Sequence, residues 1–256
     1  MKKAFEDAFR LDGQVALITG GGTGLGYAIA ESLLAAGAQV VITGRREDVL
    51  QQACKKLGDG AFYRVHDVTD TNGAKAFIDG LTRDFGRLDI LVNNAGRHCK
   101  KEIADVTQED LQAVLDVHVF GSYALAQAAL PGMIERGHGR LIFISSMSAY
   151  LAMTKVTAYG AAKSAVLGLV KCMSGEVADK GVTVNAIAPG FIDTPMFHQA
   201  VDGDLPRQRK ILGHTPMNCY GDPTDVGWAA VYLASPAARF VTGVCLPVDG
   251  GCSIGF

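Results

Sequence analysis

Seven short runs of β-branched and aliphatic residues punctuate the chain: QVALIT at 14–19, QVVIT at 39–43, AFYRVH at 61–66, LDILV at 88–92, RLIFIS at 140–145, VTVNAI at 182–187 and GVCLPV at 243–248. Several are almost continuously apolar, the pattern of strands covered on both faces rather than of strands with one wet side. Between them the apolar positions recur at helical spacing, over 25–36, 46–57, 72–85, 108–136, 157–179 and 223–234. Strand and helix alternate strictly, which predicts an α/β fold: a doubly wound parallel sheet of about seven strands with helices on both faces. No repeat or linker breaks the order, so one domain over 1–256 is expected. The least patterned stretch, 193–222, contains Pro195, Pro206 and Pro216, with Pro223 at its edge. It is too long for an ordinary connection and predicts a substrate loop or lid with short helices of its own.

Composition narrows the function classes. The 256 residues are 48% hydrophobic and 20% charged, the balance of a globular protein with a sizeable core. Lys+Arg number 24 against 26 Asp+Glu, a net charge of −2, so no basic excess points to nucleic acid. The apolar runs, such as LIFI at 141–144, are far shorter than a membrane span. The opening MKKAFEDAFR starts basic, but Glu6 and Asp7 interrupt the apolar stretch that a signal peptide needs, which predicts a cytoplasmic protein. Six Cys are spaced irregularly without C-x-x-C, and six His show no H-x-x-x-H. Neither a disulfide framework nor a metal site is expected.

Candidate chemistry begins where the first strand meets the first helix, at Gly20-Gly21-Gly22-Thr23-Gly24-Leu25-Gly26. A glycine-rich strand-to-helix turn lets the backbone approach a pyrophosphate, and the helix N-terminus adds free N–H groups and a favourable dipole. The spacing is G-x-x-x-G-x-G, through Gly20, Gly24 and Gly26, not G-x-G-x-x-G. A tight turn that merely needs glycine is the alternative, and the position in the first βα unit favours the cofactor. The second strand runs out into Thr43-Gly44-Arg45-Arg46. A protein that binds NAD usually places a carboxylate here, roughly 20 residues beyond the loop, for the ribose hydroxyls. Gly44 offers none, and the Arg45 fork with Arg46 beside it suits a 2′-phosphate, which favours NADP over NAD. Asp67, with Val68, ends the third strand. Its carboxylate could accept from an adenine amino group or cap the segment that starts at Thr69.

Tyr159 and Lys163 stand four apart on a predicted helix and so share one face. Chance supplies about 0.3 such pairs in a chain of this composition. Ser146 lies thirteen residues upstream at the end of the fifth strand, and the two features together are expected at roughly 0.01 per chain. A tyrosine hydroxyl is too weak an acid to act as a base near pH 7, but a nearby ammonium favours tyrosinate. Tyr159 would then exchange a proton with an alcohol or carbonyl oxygen that Ser146 holds. The alternatives are a strand-end hydroxyl bonded to backbone and a solvated helix lysine.

With TGGGTGLG (19–26), DV (67–68), NNAG (93–96), the Ser146/Tyr159/Lys163 set, PGFIDTPM (189–196) and VDGG (248–251) in this order, the chain resembles the short-chain dehydrogenase/reductase family, whose fold is Rossmann-like. The resemblance implies that Gly20, Gly24, Leu25 and Gly26 line the pyrophosphate and that Asp67 and Val68 meet the adenine. It implies that Asn94 and Gly96 lie beside the ribose and that Lys163 bonds the nicotinamide ribose. It also implies that Pro189, Gly190, Ile192 and Thr194 flank the nicotinamide, the last two holding its carboxamide. Members commonly form homotetramers through the long helices, here 108–136 and 157–179, the second offering Ala161, Ala162, Ala165, Val166 and Leu169. One position departs: most relatives have Asn in a water-linked proton relay where this chain reads Asp116-Val117-His118-Val119. His118 can donate and accept, so it could serve the relay; the alternative is a buried His bonded to a backbone carbonyl.

FRLDG (9–13), TPM (215–217) and VDGGCSIGF (248–256) resemble the gluconate 5-dehydrogenase-like sugar-acid and polyol dehydrogenases of that family. The resemblance implies a small polyhydroxy substrate. The basic cluster Arg97, His98, Lys100 and Lys101 could attract its carboxylate, or could be a solvated loop. A 3-oxoacyl-(acyl-carrier-protein) reductase and a broad carbonyl reductase are the alternative enzymes. A non-catalytic dinucleotide-binding protein is the alternative of another class.

Overall fold

In the computed structural model, which describes residues 5–255, the seven apolar runs pair as one parallel sheet. The strands are β1 (Val15–Thr19), β2 (Gln39–Gly44), β3 (Ala61–Val65), β4 (Ile90–Asn93), β5 (Gly139–Ile144), β6 (Val182–Pro189) and β7 (Cys245–Val248). Their order is β3-β2-β1-β4-β5-β6-β7. Alternate residues feed two cores. Ala16 and Ile18 of β1, Val40 and Ile42 of β2 and Ile142 of β5 pack under one helical layer. Leu17, Val41, Leu91, Leu141 and Phe143 pack under the other. Both faces are dry, which is why the strands read as unbroken apolar runs. The edge strands are wetter: Phe62 and Val65 of β3 are exposed, and no residue of β7 is fully buried. The ends of the expected span, Met1–Ala4 and Phe256, lie outside the described residues.

The helices are α1 (Phe5–Phe9), α2 (Gly24–Ala35), α3 (Glu47–Leu57), α4 (Ala74–Phe85), α5 (Gln108–Leu115), α6 (Ser122–Glu135), α7 (Thr157–Val177), α8 (Pro195–Val201), α9 (Leu205–His214) and α10 (Pro223–Ala234). Residues of α2, α3 and α10 join the first core, and those of α4, α6 and α7 the second. The strand order reverses between β1 and β4, and at such a switch point the carboxyl ends of neighbouring strands open a crevice for ligand.

Two elements differ from the sequence pattern. The expected helix over 108–136 is α5 and α6 joined by a π-helical turn, Asp116–Gly121. Gly121 lies so close to the Val68 carbonyl that a Cβ would collide with it. By length and composition alone the run Gln108–Glu135 could cross a membrane, which the short apolar runs did not anticipate. Here it is a packing element, set against α4, α7 and β5. The excursion 193–222 does form short helices, α8 and α9. Its ends are pinned together by a bridge between Ile192 and Gly221, with Asp193 N donating to the Gly221 carbonyl at 2.8 Å. The stretch is therefore a closed loop over the carboxyl end of β6.

Candidate active site

The glycine turn is held by its neighbours before any ligand is considered. Thr19 Oγ1 accepts from the Asn94 and Ala95 N–H groups, both at 2.9 Å. Asn94 Nδ2 donates to the Thr19 and Gly20 carbonyls at 2.9 and 3.3 Å. Asn94 thus braces β1 to β4 from the wall of the cleft. Gly20 and Gly24 have φ of +65° and +55°, the left-handed region that favours glycine. A Cβ on Gly26 would collide with the Gly20 carbonyl, so the turn closes only with glycine there.

The start of α2 is left ready for an anion. The Thr23 side chain makes no cap hydrogen bond and the first turn carries no acid. A Cβ on Gly24 would meet nothing, so open space faces these N–H donors. These features fit a dinucleotide pyrophosphate. A cleft of about 540 Å3 continues past Gly44, Arg45, Arg46, Asp67, Val68 and Gly96. Asp67 Oδ1 accepts from the Thr69 N–H and hydroxyl at 3.0 and 2.8 Å, so the capping role is realised. Burial raises the Asp67 pKa, but the two Thr69 bonds and the Arg45 charge outweigh it and hold the carboxyl below its usual range.

The inner end of the cleft, about 340 Å3, is bordered by Leu25, Gly26, His118, Tyr159, Lys163 and Thr194. Ser146 caps a single 3₁₀ turn after β5, its Oγ accepting from Ser148 N at 3.1 Å, and it borders the same chamber as Tyr159. One turn on along α7, Lys163 is buried; its Nζ donates to the Ile144 carbonyl at 2.6 Å and lies 5.3 Å from the Tyr159 ring centroid. Strand β5 and helix α7 therefore bring together the three residues that the spacing singled out. Pro189, Gly190, Ile192 and Thr194 border the adjoining chamber. Thr194 Oγ1 accepts from Phe197 N at 3.2 Å and caps α8, tying this side of the cleft to the closed loop.

The electrostatics bear on two of the expected residues. Burial pushes the Tyr159 hydroxyl up to about 12, against the opposing Ser146 bond, and pushes Lys163 down to about 7. Desolvation outweighs the help an ammonium would give a tyrosinate. Tyr159 is therefore a protonated phenol at neutral pH. His118 is shifted as well. Burial first, then the Lys163 charge, lowers it to about 3 against the opposing Arg97 carbonyl, so its imidazole is neutral near pH 6.5. Its Nε2 lies 2.9 Å from the Arg97 carbonyl oxygen and 3.1 Å from the Arg97 nitrogen, and the ring stands edge-on to Tyr159 at 5.3 Å. The buried His bonded to backbone is the alternative that this geometry realises.

His98 has a role that the sequence did not isolate. It stacks on the Tyr159 ring with centroids 4.5 Å apart and planes at 11°. Its place two residues beyond NNAG was the one available signal, and there it read as part of a charge cluster. The fold splits that cluster. Arg97 borders the nucleotide cleft, Lys101 pairs with Asp110 at 2.6 Å, and His98 and Lys100 face the chamber beyond Tyr159. Arg207, from α9 and without any motif, joins them there.

Residues 20–253 match the family model described as enoyl-(acyl carrier protein) reductase. The chain is 36% identical over 241 residues to the 3-oxoacyl-(acyl-carrier-protein) reductase FabG of Vibrio cholerae, covering 94% of this chain and 98% of that protein. It is 38% identical over 247 residues to the 2-dehydro-3-deoxy-D-gluconate 5-dehydrogenase of Bacillus subtilis, covering 96% of each. Its structure superposes with a TM-score of 0.94 on a gluconate 5-dehydrogenase from Burkholderia cenocepacia solved with NADP and tartrate, at 36% identity over 99% of this chain and 100% of that one. With its Ser146, Tyr159 and Lys163 assembled at the inner end of the cleft, the chain belongs to the short-chain dehydrogenase/reductase family, oxidoreductases that act on CH–OH groups.

Proposed function

We propose that the protein interconverts a small secondary alcohol and its ketone using NADP(H), and that the substrate carries an anionic group, as a sugar acid does. The observation that carries this is Ser146 and Tyr159 facing one chamber with Lys163 buried beneath the Tyr159 ring, where the cleft meets that chamber. When bound, the dinucleotide supplies or accepts the hydride. Arg45 and Arg46 border the cleft where Gly44 leaves no carboxylate, which supports a 2′-phosphate over a free ribose hydroxyl. Tyr159 exchanges the proton at the substrate oxygen, and Ser146 orients that oxygen by a hydrogen bond. Because Tyr159 holds its proton at neutral pH, it is set to donate to a ketone; alcohol oxidation gains as pH rises and the phenol ionises. Lys163 orients the ribose side of the cleft and re-protonates Tyr159.

Lys100 and Arg207 beside the chamber support an anionic substrate. The sugar-acid form rests on the chain ends and on relatives that act on gluconate derivatives. A second reading, reduction of a 3-oxoacyl group, is favoured by Met147, Met153 and Phe191 in the chamber walls. We further propose a homotetramer built through α5–α6 and α7. Phe120 and Tyr123 are exposed there, as are Ala161 and Ala165, whereas Ala162 and Val166 face the core.

The test is NADPH oxidation against 5-ketogluconate, acetoacetyl thioesters and simple diketones, with Tyr159→Phe as control. The variant keeps ring packing and loses only the hydroxyl, so kcat falls by about 10²-fold or more while cofactor affinity stays within a few-fold. Near-native turnover in the variant would remove Tyr159 from the chemistry. Saturable cofactor binding with no turnover on any ketone would favour the non-catalytic alternative.

A further inference from the structure

Two imidazoles lie against the Tyr159 ring, and the proton exchange proposed above uses neither. His98 lies flat on it, with centroids 4.5 Å apart and planes at 11°, while His118 stands edge-on at 5.3 Å and 85°. The two are connected through one residue. His118 Nε2 lies 2.9 Å from the Arg97 carbonyl oxygen and 3.1 Å from the Arg97 nitrogen, and Arg97 directly precedes His98. Either tautomer therefore keeps a partner: a protonated Nε2 donates to the carbonyl, and a bare Nε2 accepts from the N–H. A Cβ on Gly96 would come within 3.0 Å of His118 Cε1, so ring and loop are already close there. The π turn thus fixes the backbone from which His98 reaches Tyr159. His98 and Tyr159, with Leu25, Ile144 and Thr194, border both the inner cleft and the adjoining chamber, which puts the stack where the two spaces meet.

A proton donor works only within hydrogen-bond reach of its acceptor, and a misplacement of about 1 Å can cost about 10²-fold in rate. One ring laid flat and another set edge-on resist tilting of the phenol in two directions. Resting on the proposed proton exchange at Tyr159, we infer that His98 is a positioning residue: held by His118 through the Arg97 backbone, its ring fixes the Tyr159 phenol toward the reacting carbonyl. Ser146 orients the substrate oxygen, and the paired imidazoles orient the acid. The stack suits a neutral imidazole. Burial first, then Lys163 from α7, Lys100 from the same loop and Arg207 from α9, lower the His98 pKa. The other groups against it are uncharged at neutral pH, His118 from the π turn as the free imidazole and Tyr159 as the phenol. A group whose place disfavours its charged form gains by leaving that place when it is protonated. His98 therefore leaves the ring as pH falls below the ordinary imidazole range, near 6.5.

The experiment compares wild type with His98→Phe, His98→Gln, His98→Ala and the double variant His98→Ala/His118→Ala, on the ketone of the panel that is reduced fastest. At pH 7.5 His98→Ala lowers kcat about 10-fold, while KM and NADPH affinity stay within about two-fold. His98→Phe keeps a flat ring without nitrogens and recovers most of that loss. His98→Gln keeps hydrogen bonding without the ring and does not. Two independent losses of about 10-fold would multiply to about 100-fold in the double variant, whereas two parts of one clamp leave it near 10- to 20-fold. As pH is lowered from 6.5 to 5, the ratio of wild-type kcat to that of His98→Phe falls. Full activity of His98→Ala, rescue by Gln in place of Phe, multiplicative losses or a pH-independent ratio each overturn the positioning role and leave the hydride-transfer reading intact. The wild-type protein adds a measurement independent of turnover and of how the variants fold. In histidine-labelled NMR spectra the Tyr159 ring current shifts the His98 ring protons upfield at pH 7.5, and the shift is lost by pH 5. An unshifted His98 resonance at pH 7.5 overturns the stack. A shifted resonance with no ketone reduced overturns the hydride-transfer reading and the positioning role with it.

Discussion

Arg45 and His118 show how little a residue's type says without its surroundings. Arg45 is exposed at the end of β2 and close enough to Asp67 to depress its pKa. It borders the cleft just beyond Gly44, where β2 ends without a carboxylate of its own. Arg45→Asp reverses the charge and removes a charge-assisted contact of about 1.5–3 kcal/mol, so the kcat/KM preference for NADP over NAD falls roughly 10- to 150-fold. A wild-type enzyme already preferring NAD in the same comparison would exclude the 2′-phosphate role. His118 is buried and its folded pKa is about 3, far below that of an unfolded His. The unfolded chain therefore binds a proton near pH 6.5 that the folded protein does not take up. The stability from this residue is complete above pH 6.5 and declines as pH falls from there toward 3, by up to about 1.4 kcal/mol per pH unit. His118→Gln should flatten the dependence of Tm on pH over 4–6.5, and parallel curves for the two proteins would refute it. Over pH 5.5–9 His118 adds no inflection to kcat. His118→Asn stays within about five-fold of wild type, whereas His118→Ala loses about ten-fold by freeing the Tyr159 ring, and equal activity of His118→Ala at every pH would make it a packing residue only.

Among the elements, the α5–α6 junction carries the most consequence for the site. The π turn Asp116–Gly121 places the His118 ring against Tyr159 and lets Gly121 approach the carbonyl of Val68, which borders the outer cleft. Such turns concentrate at functional positions because the extra residue re-aims side chains on both sides. Gly121→Ala forces a methyl group against backbone that cannot yield. A loss of about 2–3 kcal/mol is expected, seen as a Tm drop of roughly 5–10 °C. An unchanged melting curve would mean that the turn relaxes freely. The closed loop of α8 and α9 is the second such element. Its bridged ends and the Thr194 cap make it a wall of the reaction chamber, and it brings Arg207 to that chamber.

For the whole molecule, two dry cores occupy the faces of the sheet, yet large apolar side chains remain exposed, Phe120, Tyr123 and Trp228 among them. Phe120 and Tyr123 lie on the α5–α6 face through which the proposed tetramer would form. Light scattering at micromolar concentration should give about four times the 27.0 kDa chain mass, and Phe120→Asp should lower it. A wild-type mass near that of one chain would rule out the tetramer.

The seven strands, the main helices and the glycine turn were legible because local periodicity and backbone freedom create them, and both are written in consecutive residues. Ser146, Tyr159 and Lys163 were legible for a related reason: helical spacing puts two on one face, and a strand end supplies the third. The split of the 97–101 cluster was not legible, since neighbouring loop residues diverge only when the fold offers each a different surface. Nor was His98 on Tyr159, a stack between segments about sixty residues apart. The proton on Tyr159 was decided by tertiary structure too. Sequence placed an ammonium nearby, but burial of both groups sets their pKa values, and burial exists only once β5, α7 and the closed loop have come together.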